Sequence, residues 1–541
     1  MLKAICIFFL FNYGVRVRSD IFTAVAEFEN VLEAHKTIKD YLDTYIKRHE
    51  KRIAILKSYL NVFNREHEKA MENIPKYLEN PVNIFTLIKR LTIDLDFIKY
   101  SIVDETAYIE DITNKQYANK YPTMEDVAGA AEALVRLQYV YNMEAKELAK
   151  GKLYDIDYST SMTACDCYEL GRVLYDKKIY VYGLEWMLEA FRKYNVEGIH
   201  YAFTDIDILG HISFGYLKTG DMESALYWIQ KLYDIDPYNS RARQIEQQCR
   251  NNMRDSRYNI WQSKMQEEKE LRRLLKDPHE FAVNPLCRGD SGLPMEISSR
   301  LTCRYQTEHH PFTKLAPIKT EMLYLNPDII LFHDMLSDSE IDTVVEMAKM
   351  RLFRSEIHIS ANEEASVKQR ISKSAWIYDE ESDVVARISR RVTHMTGLSL
   401  DSSKALQVAN YGIAGYYNLH HDFFEHMPSK DRGNRIATVL FYMSNVTQGG
   451  ATVFPKLGVS KFPVKGHALY WLNLHPSGER NHCMLHAACP VLTGSKWVAT
   501  RWIHEVGQEF IKPCNLEYQE EGCLGKHPGP ILKTPRKKKL C

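Results

Sequence analysis

The stretch CPVLTGSKWVATRWIHEVG, residues 489–507, decides the fold of the C-terminal part of this chain. It holds two apolar runs separated by a Gly-Ser turn, which is the pattern of two short strands joined by a loop. Similar runs precede it: ALQVANYG (405–412), RIATVLFYMS (435–444), GGATVFP (449–455) and HALYWLNL (467–474). Short strands separated by turns predict a sheet sandwich or jelly roll, preceded by helices such as SDSEIDTVVEMAKM (337–350).

The last of these runs raises the question of a buried lysine. Alternation along the strand places Lys496, Trp502 and His504 on one face. If that face points inward, Lys496 needs an anionic partner from the protein or a ligand, because burying an unpaired ammonium costs several kcal/mol. The pattern is equally compatible with an outward, solvated face, and the sequence leaves this open.

A second polar feature, NLHHDFFEHM at 418–427, has the spacing of a metal site. Positions i and i+2 of a strand face the same side, so His420 and Asp422 can reach one ion while His421 points away. A divalent iron that binds oxygen and a co-substrate uses two histidines and one carboxylate, which leaves coordination positions open. The third ligand must come from further along the chain, where His486 ranks first because it leads into an apolar run; the other candidates are His467, His475, His482 and His504.

Length and charge limit the class of protein. A chain of 541 residues is too long for one core and favours about three domains. Its 70 basic and 70 acidic side chains give a formal net charge of zero, which provides no field for capturing nucleic acid or an anionic membrane. Nucleic acid is therefore not an expected partner.

The first residues have the layout of a signal peptide, residues 1–19. Lys3 precedes an apolar core from Ala4 to Phe11, which is too short to span a bilayer. The alternative is a buried first helix. No later segment approaches the length of a membrane helix, so we expect no membrane span.

Secretion permits disulfides among the eleven cysteines. Cys287 and Cys303 lie close together in an irregular region, and Cys489 and Cys514 flank the last strong apolar run. We therefore expect the pairs Cys287–Cys303 and Cys489–Cys514, although spacing alone does not fix connectivity. Cys165 and Cys167 fit equally well as free thiols packed in a helix.

Two helical blocks precede the strands. Apolar residues recur at steps of three and four between Ile38 and Phe63, which predicts a helix with one apolar seam, either packed on its own domain or paired with a second chain. From 123 to 250 a faint repeat appears, with Tyr216, Gly220, Ala225 and Pro237 in tetratricopeptide positions and Leu170, Gly171 and Ala190 fitting the same template upstream. This block is either a plain bundle or a groove for an extended peptide.

The runs LQVANYG, NRIATVLFYMS, GGATVFP, HAACPVL and KWVATRWIHEVGQEF resemble the catalytic domain of collagen prolyl 4-hydroxylase alpha subunits, which are Fe(II)- and 2-oxoglutarate-dependent dioxygenases. The resemblance continues upstream through RISKSAW, CRYQ and PVNIFTLIKRL, so it covers nearly the whole mature chain. It implies that His420, Asp422 and His486 bind the iron and that Lys496 pairs with the distal carboxylate of 2-oxoglutarate. It also implies that His504 orients the carboxylate next to the keto group, and that further side chains line the co-substrate pocket, namely Tyr411, Thr438 and Trp502.

The family resemblance also implies the reaction and the assembly. The reaction would hydroxylate C4 of prolines in collagen-like or proline-rich peptides in the endoplasmic reticulum lumen, consuming O2 and 2-oxoglutarate and releasing succinate and CO2, with ascorbate as reductant. Two protein disulfide isomerase subunits would complete an alpha2beta2 tetramer. The implied α+β architecture comprises helical dimerisation (20–122) and TPR-like peptide-binding (123–250) domains, a connector (251–325), a double-stranded β-helix catalytic domain (326–515) and a tail (516–541).

Some residues depart from the family pattern. His211, Phe214 and Leu217 stand where the family usually has more tyrosine, and Leu419 replaces a typical proline before the first metal ligand. The sequon at Asn445 falls between apparent core strands, so we expect no glycan there. Two alternatives stay open: the same chemistry on another residue or on a non-collagen substrate, and a catalytically inactive peptide-binding subunit.

Overall fold

The computed structural model of the protein describes residues 28–101, 124–154, 156–254, 280–290, 292–355, 370–403, 405–412, 414–425 and 430–515. The predicted signal peptide and tail lie outside the described residues, as does part of the connector. None of the described helices is both long enough and apolar enough to cross a membrane.

The N-terminal half is helical. Some of its helices begin at a residue whose side chain accepts hydrogen bonds from the first free backbone N–H groups, as Asn80 does. Thr163 and Asp166 do this reciprocally at the start of another helix. The bounds are α1 (Phe28–Glu72), α2 (Ile74–Leu78), α3 (Pro81–Lys89), a π-helical turn (Arg90–Asp94), α4 (Leu95–Ser101), α5 (Met124–Tyr141), α6 (Ala145–Ala149), α7 (Ala164–Asp176), α8 (Tyr180–Glu197), α9 (Asp205–Thr219), α10 (Met222–Ile235) and α11 (Ser240–Arg254), with a small hairpin of β1 (Lys152–Leu153) and β2 (Ile156–Asp157).

Helix α1 is the predicted seam helix. Ile53 and Leu60 on that seam are 50% and 58% exposed. On another side, Tyr59 packs against Phe97 of α4 with ring centroids 5.4 Å apart. The helix therefore packs on its own region while part of the seam stays exposed, and pairing with a second chain stays a prediction.

The repeat predicted in the second helical block is present as antiparallel helix pairs. Gly220 ends α9 with a φ of 91°, a backbone conformation that favours glycine. Ala225 is completely buried where α10 packs back on α9, and the small side chain allows this close approach. These are the positions that the tetratricopeptide template assigned to a turn glycine and a small residue between helices.

The C-terminal half contains two facing antiparallel sheets. The larger runs in the order β3-β4-β5-β14-β10-β17-β8-β7-β6, the smaller in the order β13-β12-β15-β9, and β11 pairs with β16. The strands are β3 (Cys303–Gln306), β4 (Ile318–Tyr324), β5 (Ile329–Phe332), β6 (Phe353–Arg354), β7 (Ser372–Ile377), β8 (Leu406–Tyr411), β9 (Tyr417–His420), β10 (Arg435–Tyr442), β11 (Gln448–Gly449), β12 (Thr452–Phe454), β13 (Val459–Lys461), β14 (Ala468–Leu472), β15 (His486–Ala488), β16 (Val491–Thr493) and β17 (Lys496–His504). The predicted jelly-roll architecture is confirmed.

Helices complete the C-terminal half. Their bounds are α12 (Glu280–Cys287), α13 (Met295–Ser298), α14 (Asp338–Lys349) and α15 (Asp383–Thr396). The apolar sides of α14 and α15 pack on the outer face of the large sheet, with Val344 and Val392 completely buried. The other face of that sheet meets the small sheet around Phe454 and Trp471, which encloses the interior of the jelly roll.

The predicted disulfides are wrong. The structure joins Cys287, the last residue of α12, to Cys489, which follows β15, across 202 residues of sequence. Cys303 and Cys514 are free and exposed, whereas Cys165 and Cys167 are free and buried in α7, as one interpretation expected. Proximity in sequence misled the prediction because α12 folds back onto β12 and β13, beside the end of β15.

A buried ion cluster joins the first helices to the repeat block. The Lys89 Nζ atom lies 2.9 Å from a carboxylate oxygen of Asp94 and 3.1 Å from one of Asp166 at the start of α7. Burial alone would lower the pKa of Lys89, but the two carboxylates hold it well above its usual value. Lys89 is only 3% exposed, so the cluster is buried and water cannot replace the lysine. Both carboxylates therefore depend on this one cation to balance their charge.

Replacing Lys89 should therefore destabilise this junction. We expect Lys89→Met to lower the free energy of unfolding by about 3–5 kcal/mol, since it leaves two acidic side chains buried without a counter-ion. Urea unfolding followed by far-UV circular dichroism measures the change. The control is Lys150→Met, because Lys150 makes an exposed pair with Glu147 at 2.6 Å and should contribute less than about 1 kcal/mol. Equal shifts in the two variants would contradict this role of the cluster.

Candidate active site

The two histidines of the predicted triad lie opposite each other. His420 ends β9 and His486 begins β15, and the antiparallel register pairs these two residues directly. Asp422 follows β9, with one carboxylate oxygen 3.7 Å from the His420 Nε2 atom and the other 3.8 Å from the His486 Nε2 atom. In the described part of the chain this is the one group of three potential metal ligands whose atoms converge, all lying within 4.8 Å of one another.

Backbone carbonyls fix the orientation of both rings. The His420 Nδ1 atom lies 2.7 Å from the Asn418 carbonyl oxygen, and the His486 Nδ1 atom lies 2.9 Å from that of Met484. When each Nδ1–H donates to its carbonyl, the lone pair of the neutral ring lies on Nε2, and both Nε2 atoms point toward Asp422. This is the arrangement that a metal ion requires of imidazole ligands.

The carboxylate of Asp422 is held by its own partners. The Thr438 hydroxyl of β10 donates to Asp422 Oδ2 at 2.7 Å, and the Asn473 side chain in turn donates to the Thr438 hydroxyl oxygen at 2.9 Å. Burial alone would raise the pKa of Asp422, but the neighbouring imidazoles and this hydrogen bond hold it below its usual value. The group therefore stays an anion inside the protein.

Aromatic rings enclose the histidines. Tyr417 stacks on His420 with ring centroids 3.6 Å apart, and Trp471 meets the edge of His486 at 4.9 Å. Burial, reinforced by the neighbouring His486, keeps the pKa of His420 well below its usual value. The ring is therefore neutral at physiological pH and ready to bind a cation without first losing a proton.

Lys496 lies in the same cavity as the triad, with 1% of its surface exposed. Its Nζ atom donates to the Gly450 carbonyl oxygen at 2.7 Å and lies 4.8 Å from the centroid of the Tyr411 ring. Burial lowers its pKa to about 7, and no acidic side chain of the described residues pairs with it. The inward face of β17 is thus settled, and the cavity holds an ammonium in need of an anion.

Three of the four other predicted site residues line this cavity, and the fourth does not. Tyr411, Thr438 and Trp502 line the cavity together with Lys496 and the triad. His504 does not: it ends β17 with its Nδ1 atom 3.4 Å from the Gly433 carbonyl oxygen, beyond a register irregularity in the β10–β17 pairing. Its predicted role at the co-substrate stays a prediction.

The remaining histidines lie elsewhere. His421 turns away from the triad, as expected, and stacks on Phe423 at 4.6 Å. His482 lies beside His421, with ring centroids 5.3 Å apart, whereas His467 packs against His333 at 4.5 Å. His475 lies in the turn after β14. Of the five candidates, His486 alone meets His420 and Asp422.

Sequence reasoning missed two polar residues of the cavity. The buried Arg370 guanidinium donates to Gln407 Oε1 at 3.3 Å and lies 4.9 Å from the ring centroid of Tyr417. Gln407 gave a usable signal, because it is a polar residue inside the apolar run LQVANY and alternates onto the same face as Tyr411. The sequence around Arg370 gave no such signal, because its position in the cavity depends on an isolated backbone bridge to Tyr417.

The residues present fit an Fe(II) ion and an anionic co-substrate. Two imidazoles and a carboxylate form a facial set, and a buried lysine amine lies in the same cavity. With the jelly-roll fold, these features define a 2-oxoglutarate- and Fe(II)-dependent oxygenase, and residues 406–504 match the family model of the 2OG-Fe(II) oxygenase superfamily.

Comparison with known proteins shows which family of these oxygenases the chain resembles. Residues 24–155 match the model of the prolyl 4-hydroxylase alpha-subunit N-terminal region, and residues 164–249 that of the prolyl 4-hydroxylase peptide-substrate-binding domain. Prolyl 4-hydroxylase subunit alpha-1 of Caenorhabditis elegans is 36% identical over 95% of this chain and 94% of its own length, and that of Homo sapiens is 36% identical over 92% and 96%. The chain therefore belongs to the prolyl 4-hydroxylase alpha-subunit family, and its activity is proline 4-hydroxylation.

A solved structure is also similar in sequence. The viral collagen prolyl hydroxylase of Paramecium Bursaria Chlorella virus-1, in complex with 2OG, is 26% identical, with a TM-score of 0.28. The match covers 33% of this chain and 96% of that chain.

The hydrogen bond from Thr438 to Asp422 should contribute to metal affinity. Thr438→Val removes the hydroxyl and keeps the shape, so we expect a metal affinity about 10–100-fold weaker. Competition for Zn(II) with a chromogenic chelator measures the dissociation constant. His421→Ala, next to a metal ligand but turned away, should leave it unchanged; a loss with His421→Ala and none with Thr438→Val would refute the assignment of ligands.

Proposed function

We propose that His420, Asp422 and His486 hold Fe(II) and that Lys496 binds the distal carboxylate of 2-oxoglutarate. The observation that carries this proposal is the Lys496 ammonium, buried in the cavity of the triad without an acidic partner among the described residues. An anion from outside the protein offsets the cost of burying that charge. Tyr411, Thr438 and Trp502 line the co-substrate pocket, whereas a role of His504 beside the keto group rests on the family resemblance alone, because His504 is not among the residues that line the cavity.

The chain's own residues prepare the site for the reaction. Bound Fe(II) would use O2 and 2-oxoglutarate to hydroxylate C4 of a prolyl ring, one oxygen atom entering the hydroxyl group and the other entering succinate as CO2 is released. Thr438 holds Asp422 in one orientation, and the carbonyls of Asn418 and Met484 hold the imidazoles in one tautomer. Tyr417 and Trp471 exclude water from the metal side of the cavity.

The peptide substrate binds to the inner helices α7 and α9 of the repeat block. Aromatic rings from both helices meet there: His211 lies 5.5 Å from Tyr168 and 6.0 Å from Tyr175, and Phe214 lies 6.1 Å from Tyr175. Flat aromatic surfaces of this kind suit the prolines of an extended polyproline II segment. Because His211 and Phe214 carry no phenolic hydroxyl, recognition depends more on ring packing than on hydrogen bonds to peptide carbonyls.

The natural substrates, the compartment, the reductant and the partner subunit are inferred from the family resemblance. The substrates are collagen-like chains in the endoplasmic reticulum lumen, and ascorbate is the reductant. Protein disulfide isomerase is the partner in an alpha2beta2 tetramer, and the division into dimerisation, peptide-binding and catalytic domains follows the boundaries predicted from the sequence. The disulfide between Cys287 and Cys489 supports an oxidising compartment.

Binding of 2-oxoglutarate should be accompanied by proton uptake above pH 7. Burial lowers the pKa of Lys496 to about 7, and a bound carboxylate would raise it again. At pH 8 most of the unliganded amine is neutral, so binding takes up nearly one proton, whereas at pH 6 the amine is already charged and uptake is small. Affinity for 2-oxoglutarate therefore falls as the pH rises above 7.

Calorimetry of the Zn(II)-loaded protein in buffers of different ionisation enthalpy counts the protons. Lys496→Arg is the matched control, because an arginine keeps its charge at both pH values and removes the uptake. Uptake at pH 8 that persists in Lys496→Arg would assign the proton to another group.

The substrate is tested with a Pro-Pro-Gly repeat peptide and mass spectrometry of the product. We expect 4-hydroxyproline in the peptide with the purified complex. His420→Ala should abolish both hydroxylation and 2-oxoglutarate consumption while peptide binding stays unchanged, because His420 lies outside the repeat block. Consumption of 2-oxoglutarate without hydroxylation of this peptide would point to a non-collagen substrate.

A further inference from the structure

Helix α5, which precedes the repeat block, packs directly on the catalytic strands. At its end the buried Tyr141 hydroxyl donates to the Pro490 carbonyl oxygen at 2.5 Å, just before β16. Earlier in the same helix, the Arg136 guanidinium lies 4.3 Å from the ring centroid of Tyr416, which immediately precedes β9. A helix of the N-terminal region thus contacts residues next to both strands of the triad, since Tyr416 precedes β9 and Pro490 follows β15.

The Pro490 carbonyl also accepts a hydrogen bond from within the catalytic domain. The Gly450 N–H donates to it at 3.0 Å, so Tyr141 and Gly450 share one acceptor. Gly450 in turn accepts the hydrogen bond from Lys496 Nζ, at 2.7 Å, through its own carbonyl oxygen. Three hydrogen bonds therefore connect a tyrosine of α5 with the ammonium in the active-site cavity.

The turn at Gly449 and Gly450 packs closely against α5. Their φ values of 77° and 69° lie in the left-handed region, which glycine adopts at little steric cost. A Cβ atom at Gly449 would lie 2.6 Å from the Tyr141 hydroxyl oxygen, which shows how closely α5 approaches the turn. Moving the hydroxyl would therefore shift the peptide unit that holds Lys496.

We propose that Tyr141 is a positioning residue for the co-substrate: by fixing Pro490 and Gly450 it holds Lys496 where the distal carboxylate binds. This inference rests on the proposed role of Lys496. It places one determinant of 2-oxoglutarate affinity outside the catalytic domain. The effect is on binding of the co-substrate, so KM for 2-oxoglutarate depends on the Tyr141 hydroxyl whereas kcat does not.

The test is Tyr141→Phe in the full-length protein, which removes one hydroxyl and keeps the ring. We expect KM for 2-oxoglutarate to rise about fivefold, the equivalent of one hydrogen bond, with kcat unchanged. Calorimetry of 2-oxoglutarate binding to the Zn(II)-loaded protein gives a readout independent of turnover, and the dissociation constant should rise by the same factor. The matched control is Tyr154→Phe, since the Tyr154 hydroxyl donates to the backbone oxygen of Tyr141 at 3.0 Å and does not contact the turn.

A third variant separates this inference from the function on which it rests. Lys496→Met should weaken 2-oxoglutarate binding far more than Tyr141→Phe. If Lys496→Met weakens binding and Tyr141→Phe does not, the positioning role of Tyr141 is wrong and the co-substrate site stands. If Lys496→Met leaves binding unchanged, the co-substrate site itself is wrong. Equal losses in Tyr141→Phe and Tyr154→Phe would mean that any disturbance of α5 has the effect, which would also overturn the specific role.

Discussion

The register between β9 and β15 is the constraint on which the site depends. It places His420 and His486 opposite each other on adjacent strands, and Asp422 closes the set two residues later. Since side chains alternate along a strand, a slip of one residue would turn one imidazole away and destroy the triad. The orientation of each ring is then local, because each Nδ1–H bonds to a carbonyl two residues earlier in its own chain segment.

Opposite charges in one cavity explain which co-substrate fits. The triad presents a carboxylate and two imidazoles, which bind a cation, while Lys496 presents an amine whose charged form attracts an anion. A dicarboxylate such as 2-oxoglutarate satisfies both, because it can bind a metal through one part and the lysine through its distal carboxylate. No acidic side chain of the described residues pairs with Lys496, so the site is electrostatically prepared for an anionic ligand beside the metal.

The sequence predicted what depends on short-range pattern and failed where distant segments meet. The spacing of His420 and Asp422 predicted that both side chains reach one site, and alternation placed Lys496 and Trp502 on one face of β17, but only the structure shows that this face points into the jelly roll. His504 shares a face of β17 with Trp502 but lies at the end of the strand, beside the Gly433 carbonyl oxygen and outside the residues that line the cavity. The disulfide from Cys287 to Cys489 and the contribution of Arg370 depend on contacts between remote segments, and spacing contains no information about these.

The departure at Leu419 shows how the helical region and the catalytic region are packed together. Leu419 packs against a buried cluster that runs from Leu137 and Val140 of α5 to Ala487 and Cys489, beside the proposed metal ligand His486. A leucine at this position adds apolar surface to that shared core. Its packing there also anchors the backbone next to His420. Because the back of the metal-binding strands is covered by α5 rather than by solvent, the geometry of the triad includes a contribution from the N-terminal region. A catalytic domain without α5 would expose the apolar surface of this shared core.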